Sequence, residues 1–360
     1  MYTLFMRLIT RSLIIFLPFL GYGQVVSSTP LFPYQNDSIT LTYDASLGNG
    51  ELVGITPVFV HTGLTFGSSS SWQNVQGNWG AADSSVLMQS SGNDLHSISF
   101  HIPSYYGISG SSSSGPNALA FVFRNTSGTL VGRNSDQSDI YIPIYSGSSP
   151  LEVQWAANKN VIEALPNSSL TLNAGSSIAA DFMVFIDGNL VFTDSNKRTV
   201  TPTITTPNAL GIHSLVVQAN QGSQSETDSI ILAVNNAVGV NQNVIIIPAY
   251  PTNQDTIDIV YDSLSGNRGT QGNTPLYLHT GVLTQSSGTN WQNVQGNWGT
   301  DDNNVRLSHL GGGVWHKRLH VNSFYSLSSI ASSATHLAMV VRDSSGTYVG
   351  KTSSGGDILH

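Results

Sequence analysis

A stretch of nine residues, Trp72–Gly80, recurs without a single change at 291–299, and no other feature constrains the fold as strongly. Matching residues continue on both sides of the stretch: His61 corresponds to His279, and Asp139-Ile140 corresponds to Asp357-Ile358. Self-similarity of this length is the mark of a duplicated structural unit. The chain therefore has to fold as two copies of one module, joined by a segment of different texture.

Each copy contains short runs of alternating polar and apolar residues, separated by Gly, Ser, Asn and Pro, a pattern typical of strands in an antiparallel sandwich. The intervening segment alternates in the same way, and Asp187-Gly188 within it predicts a hairpin turn. We therefore predict an all-β chain of three immunoglobulin-like β-sandwich domains in tandem, the first and third homologous. The predicted boundaries are 24–147 for the first copy, 148–237 for a central spacer domain and 238–360 for the second copy.

The first 23 residues have the pattern of a secretory signal peptide. Arg7 and Arg11 precede a short apolar run, and Gly21 and Gly23 provide small residues at the expected cleavage site. The run is too short to cross a bilayer, and Pro18 interrupts it. We expect a secreted or cell-surface protein without membrane insertion after cleavage.

Composition excludes several functional classes. The chain has no cysteine, which rules out disulfides and thiol chemistry, and its net charge of −8 offers no basic face for nucleic acid. Neither a metalloprotease motif nor a phosphate-binding loop nor a hydrolase nucleophile elbow is present. We predict no catalytic residues and no cofactor for this chain. A structural calcium ion is compatible with the composition but is not predicted.

The repeated stretch combines two tryptophans with four amide side chains, and a histidine precedes it in both copies. Indole rings cover the flat C–H face of a pyranose, while amides and imidazole hydrogen-bond its hydroxyls. This pattern predicts a carbohydrate-binding site in each module. The candidate residues are His61, Trp72, Asn74, Trp79 and Tyr106 in the first copy, and His279, Trp291, Asn293, Trp298 and Tyr325 in the second.

Structural roles fit some of these residues equally well. In one unbroken strand, Trp72 and Trp79 would point to opposite faces and one would be core, unless Gly77 introduces a bulge. A hydrogen-bonded structural role is as compatible with His61 and His279 as ligand contact. The pairing of Arg124 with Asp139 is interpreted as an internal ion pair.

The order of motifs resembles the starch-binding, immunoglobulin-like modules that precede α-amylase-superfamily catalytic domains in secreted bacterial enzymes. The motifs that carry the resemblance are Ser38–Ala45, Val58–Gly63, Trp72–Val75, Asn78–Gly80 and Phe121–Arg124. The resemblance implies a non-catalytic module that holds an α-glucan between aromatic side chains. It nominates the histidine and the two tryptophans of each copy as the binding residues.

A polysaccharide, with α-glucan favoured, is therefore the predicted partner. A structural spacer and a protein-binding adhesion module remain as alternatives. The second copy stops two residues after Asp357-Ile358, whereas the first continues through Tyr145 at the matching position. On this ground we expect the sequence to be the N-terminal part of a longer precursor that continues into an α-amylase-like domain.

Overall fold

The computed structural model describes residues 25–108, 115–157, 159–241, 243–327 and 334–360. The predicted signal peptide lies outside the described residues. Within the described ranges the chain consists of strands, two single-turn α-helices and one short 3-10 segment, Ser84–Val86. None of the helices in these ranges is long and apolar enough to cross a membrane.

The first module is a sandwich of two antiparallel sheets. One sheet has the strand order β1-β2-β6-β5, and the other has the order β4-β3-β7-β8, with β9 also paired to β7. A single-turn helix, α1, follows β6. The bounds are β1 Val26–Thr29, β2 Ser38–Asp44, β3 Phe59–Thr65, β4 Gln73–Gln76, β5 Gln89–Gly92, β6 Leu95–His101, α1 Ile102–Tyr106, β7 Ala118–Arg124, β8 Val131–Gly132 and β9 Ile140–Pro143.

The central domain has a six-stranded sheet, in which β10-β13-β16-β17-β11 are neighbours in this order and β14 also pairs with β13, and a two-stranded ribbon of β12 and β15. The predicted hairpin turn is confirmed, because Asp187 and Gly188 both have positive φ and join β13 to β14. The bounds are β10 Val153–Trp155, β11 Val161–Ala164, β12 Ser169–Thr171, β13 Ala174–Ile186, β14 Asn189–Val200, β15 Thr203–Thr205, β16 Gly211–Gln221 and β17 Gln224–Val234.

The third module repeats the topology of the first. One sheet has the order β18-β19-β23-β22, and the other has the order β21-β20-β24-β25, with β26 paired to β24. The bounds are β18 Val244–Ile247, β19 Thr256–Asp262, β20 Tyr277–Thr284, β21 Gln292–Gln295, β22 Ser308–Gly311, β23 Val314–His320, α2 Val321–Tyr325, β24 Ala334–Arg342, β25 Val349–Gly350 and β26 Ile358–Leu359.

Alternation along the strands explains why each module closes around its own core. In β2, Ile39, Leu41 and Tyr43 are buried, while the residues between them are exposed or half-buried. Removing such side chains from water stabilises the fold by about 1.5–3 kcal/mol each. Separate clusters of buried apolar residues fill the first, central and third domains. The sequence-based prediction of an all-β chain of sandwich domains is confirmed.

The three domains also contact one another. The Arg198 guanidinium lies 3.4 Å from the centre of the Tyr34 ring, which joins the central domain to the first. Val161 of the central domain packs with Ile247 and Val314 of the third in a shared apolar cluster. The Arg268 side chain of the third module donates to the Ser46 carbonyl oxygen of the first at 2.7 Å. The two copies therefore touch directly as well as through the central domain.

Candidate functional site

Strand β3 presents His61 on the outer face of its sheet. Its neighbours Val60 and Thr62 are fully buried on the inner face, whereas His61 is half-buried. Val122 is its partner on β7, and Gly63 is the next outward residue of β3. A Cβ at Gly63 would lie 3.1 Å from the Trp72 Cβ, so the glycine leaves room for the tryptophan beside the histidine.

A bulge in β4 places both tryptophans on the histidine's side of the sheet. Gln76 pairs with Thr62 and Gln73 pairs with Leu64, so β4 has one residue more than β3 over the same length. Asn74, with a φ of 52°, lies inside this irregularity. The strand ends at Gln76, and Trp72 and Trp79 therefore do not alternate as residues of one unbroken strand would.

Three rings form the site in the first module, and we call it the His–Trp–Trp cleft. The His61 ring is stacked on Trp72, with 5.9 Å between the ring centroids. His61 and Trp79 meet edge to face, with 5.2 Å between their centroids. Trp72 is half-buried, whereas Trp79 is 49% exposed. The cleft therefore offers one broad indole surface to solvent beside an imidazole of fixed orientation.

The orientation of His61 is set by the backbone. Its Nδ1–H donates to the Gly77 carbonyl oxygen at 2.8 Å, because a carbonyl only accepts. Burial lowers the pKa of His61 below its ordinary value of 6.5, and the field of Arg124 acts in the same direction. The neutral tautomer then carries its lone pair on Nε2, an acceptor that no side chain in the described ranges occupies.

Trp79 is held by a buried arginine and a glycine. The fully buried Arg124 guanidinium donates to the Asn78 carbonyl at 2.7 Å and to the Ala81 carbonyl at 2.9 Å, one on each side of the tryptophan. Gly128 packs against the indole so closely that a Cβ there would lie 2.6 Å from Nε1. These contacts fix the loop that carries the exposed indole.

The predicted Arg124–Asp139 ion pair is wrong. Asp139 pairs with Arg133 instead. The hydrogen bonds of the two terminal Arg124 nitrogens all go to backbone carbonyls, and the guanidinium lies 5.0 Å from the centre of the Phe59 ring. The reason is geometric, since Arg124 is at the end of β7, where two loops turn their carbonyls inward.

Asn74 and Asn293 support the cleft from behind. The amide of Asn74 donates to the Tyr106 carbonyl oxygen at 2.9 Å, and that of Asn293 donates to the Tyr325 carbonyl oxygen at 2.7 Å. The bonds tie the bulge to the single-turn helices α1 and α2. Both asparagines thus have a structural role in these positions.

Tyr106 and Tyr325 lie in the core, which corrects their assignment as ligand-contacting residues. Tyr106 is 2% exposed and its hydroxyl is bonded to Thr62 at 2.6 Å; Tyr325 is bonded to Thr280 at 2.8 Å. The helix that follows β6 or β23 turns each tyrosine inward. Neither ring can meet a ligand at the surface.

The third module repeats the His–Trp–Trp cleft. His279 donates through Nδ1 to the Gly296 carbonyl oxygen at 2.7 Å, and its ring centroid lies 5.6 Å from Trp291 and 5.2 Å from Trp298. Trp298 is 49% exposed, as its counterpart is. A cavity of about 230 Å³ opens between the rings, lined also by Val340, Lys351 and Asp357.

Residues at the rim were missed by sequence reasoning. The Tyr141 hydroxyl accepts a long hydrogen bond of 3.4 Å from the Trp72 indole N–H, and Leu359 stands at the same strand position in the third module. Lys351 and Asp357 form an ion pair of 3.4 Å at the second cleft. The duplicated Asp-Ile pair was the one available signal for this strand.

The cleft combines an exposed aromatic face, a lone-pair acceptor and a charged pair at its rim. Groups of these kinds are able to stack on and hydrogen-bond a polar, ring-shaped ligand. The described residues of the cleft include no nucleophile paired with a base. In the part of the chain that the structure describes, no group of three or more His, Asp and Glu side chains is placed to hold a metal ion.

No family model matches this chain, and no curated protein matches it. Among solved structures, it is similar to fibronectin(III)-like modules of Clostridium thermocellum CbhA, at 21% identity over 23% of this chain and 95% of that one, with a TM-score of 0.19. Bacteroides uniformis beta-glucuronidase 3 is similar at 12% identity over 59% of this chain and 25% of that one, with a TM-score of 0.24. Titin Ig tandem domains are similar at 9% identity over 56% of this chain and 91% of that one, with a TM-score of 0.20.

Proposed function

We propose that the first and third modules bind carbohydrate through their His–Trp–Trp clefts. The observation that carries the proposal is the half-exposed indole of Trp79, and of Trp298, held edge-on to an oriented histidine in both copies. A pyranose face covers such an indole, and its hydroxyls reach the imidazole Nε2 and the charged rim. The ligand needs no deep pocket for this mode of binding.

The expected affinity is modest. Covering roughly 60–80 Å² of apolar surface on one indole contributes about 1.5–2 kcal/mol. A few such contacts, less the cost of association, correspond to a Kd on the order of 10 μM to 1 mM. Affinity in this range suits a module that holds a polymer reversibly.

We propose an α-glucan as the ligand and secretion as the route to it. The support is the sequence resemblance to starch-binding modules of secreted bacterial enzymes, together with the signal-like residues 1–23. On the same ground we propose that the chain is the binding region of a larger glycan-degrading enzyme. The catalytic domain would then use these modules to stay on its substrate.

Retardation in native gels that contain starch or glycogen tests the proposal. The wild-type chain should run more slowly than in a plain gel, and cellulose or chitin should retain it less. The double variant Trp79→Ala/Trp298→Ala should run as in the plain gel, with an unchanged circular dichroism spectrum. Tyr250→Ala, which removes a 68% exposed ring outside the clefts, is the matched control and should stay retarded.

A protein-binding module is the second candidate. Val75 and Val294, each 45% exposed within the repeated stretch, would suit an apolar protein surface. A chain that no polysaccharide retards, but that a protein partner retains in a Trp79-dependent way, would favour this candidate. Equal mobility of the wild type and the double variant in every gel would leave the spacer role and contradict carbohydrate binding.

A further inference from the structure

A second cavity, of about 510 Å³, opens at the edge of the third module and shares no residue with the His–Trp–Trp cleft. Its walls come from the loop before β20, from residues 303–309 and from β23. Trp315, 5% exposed, belongs to the core and forms the inner wall. A cavity of this volume accepts a ligand of about the size of a sugar unit.

Two cations meet at this cavity without a carboxylate partner. Arg306 is exposed and Lys317 is half-buried, and neither forms an ion pair with any residue in the described ranges. Trp315 and Lys317 are two residues apart in β23, so their side chains lie on the same face of the strand. The aliphatic part of the Lys317 side chain therefore lies along the core. Burial lowers the pKa of Lys317, because an ammonium held away from water loses solvation.

The acidic residues nearby are engaged elsewhere or lie farther away. Asp301 accepts a hydrogen bond from the Tyr277 hydroxyl. Asp302 acts on Lys317 only through its longer-range field. The cavity therefore keeps a net positive lining within a chain whose net charge is −8.

Uncharged polar side chains complete the lining. Asn303 and Ser308 make no side-chain hydrogen bond to any described residue, and both are exposed. The His309 ring packs on Trp315 with 4.5 Å between centroids. Donors and acceptors of this kind match hydroxyl groups, whereas Arg306 and Lys317 match a negative charge.

The first module lacks the two cations of this cavity. Leu87 and Ile98 stand where the third module has Arg306 and Lys317, and Ile98 packs against the core of the first module. The corresponding edge of the first module therefore folds without these two cations. The cations of the third module are not required by the fold that both copies share.

We propose that this cavity of the third module binds an acidic sugar, one whose ring carries a carboxylate or sulfate group. The guanidinium of Arg306 and the ammonium of Lys317 hold the anionic group, and Asn303, Ser308 and His309 contact the hydroxyls. The proposal is independent of α-glucan binding, since this cavity shares no residue with the His–Trp–Trp cleft. The chain would then bind a neutral polymer at the His–Trp–Trp clefts and an acidic sugar at this cavity.

Calorimetric titration of the purified full chain tests this proposal, with glucuronic acid, glucose 6-sulfate, glucose and inorganic sulfate as the probes. At least one of the two acidic sugars should bind, with a Kd on the order of 0.1–10 mM. Glucose should bind at least about tenfold more weakly at this site, and 0.5 M NaCl should weaken the acidic sugar. Inorganic sulfate should also be weaker, because it leaves the hydroxyl partners unused.

The decisive variant is Arg306→Leu/Lys317→Ile, which installs the residues that the first module folds with. It should lose at least about tenfold in affinity for the acidic sugar while keeping starch retardation. Trp79→Ala/Trp298→Ala should keep acidic-sugar binding, so the two proposals fail separately. Equal binding by wild type and the Arg306→Leu/Lys317→Ile variant, or inorganic sulfate as tight as the acidic sugars, would overturn the inference.

Discussion

The two His–Trp–Trp clefts share their centre and differ at their rim. The histidine–glycine hydrogen bond and the ring distances of the first cleft recur in the third module within 0.3 Å. At the rim, the Tyr141 hydroxyl accepts from the Trp72 indole N–H. The side chain of the corresponding Leu359 has no acceptor, and the Trp291 N–H has no hydrogen-bond partner among the described residues. If the clefts bind carbohydrate as proposed, we expect the three rings to carry recognition and the rim to adjust the affinity of each copy.

The largest difference that we expect between the copies concerns stability. Arg124→Met removes the donor for carbonyls of Asn78, Ala81, Asn125 and Thr126, and should lower the free energy of unfolding by about 3 kcal/mol or more. Arg342→Met should cost less, because Arg342 lacks the fourth carbonyl contact. Urea unfolding followed by circular dichroism measures both values.

Arg133→Met is the control for the arginine pair. Its ion pair with Asp139 is partly exposed, and its loss should cost about 0–1 kcal/mol. A loss at Arg124 no larger than this would show that the buried guanidinium does not hold the tryptophan loop.

Acid should weaken the first cleft. A bound sugar buries His61 further and so favours the neutral ring, whose pKa already lies below 6.5. Neutral His61 stabilises the fold and the complex fully above pH 6.5, and this contribution is lost as the pH falls through the lowered pKa. In a Trp298→Ala background, which leaves one cleft, oligosaccharide affinity should fall about three- to tenfold between pH 7.5 and about 4.5.

Titration at a series of pH values in the His61→Gln variant provides the control. Its residual affinity should be flat over the same range. Affinity of the Trp298→Ala chain that is independent of pH would remove His61 from the binding surface.

Glycine contacts behind the exposed indoles should matter equally in both copies. A Cβ at Gly128 or Gly346 would lie 2.6 or 2.5 Å from the indole Nε1, so Gly128→Ala and Gly346→Ala should each push the ring aside. We expect about fivefold weaker binding at the affected cleft, measured by tryptophan fluorescence titration with a maltooligosaccharide. Gly54→Ala is the control, because Gly54 has a φ of +71° and Gly128 one of +72°, so both substitutions strain the backbone alike. A Cβ at Gly54 would have no atom within 4 Å, and this variant should bind normally.

Exchange of the rim residues should give the smallest effect. Tyr141→Leu removes one long hydrogen bond and should change affinity about twofold, and Leu359→Tyr should move the second cleft toward the first by a similar factor. Calorimetry measures the two affinities, with Tyr141→Leu in a Trp298→Ala background and Leu359→Tyr in a Trp79→Ala background. A loss above tenfold from Tyr141→Leu would assign recognition to the rim rather than to the rings.

Repetition and alternation were enough to predict the sheets and the region of the candidate site. Ile39, Leu41 and Tyr43 face the core as period two requires. The bulge at Asn74 was not predictable, because it depends on pairing with β3 and on a positive φ that asparagine tolerates. The roles predicted for Tyr106 and Arg124 were wrong for a related reason. The hydrogen-bond partner of Tyr106 is Thr62, and Arg124 bonds to a carbonyl of the tryptophan loop, and both partners are distant in sequence.

The contact between Arg268 and Ser46 makes the spacing of the two His–Trp–Trp clefts a fixed length, against which an oligosaccharide can be compared. Because the first and third modules touch each other and both pack on the central sandwich, the distance between their two clefts is fixed by the fold rather than by a slack tether. Under the proposed function, an oligosaccharide shorter than that distance should occupy one cleft at a time. An oligosaccharide long enough to reach both clefts should bind both, and its affinity should then rise in a step rather than gradually with each added sugar.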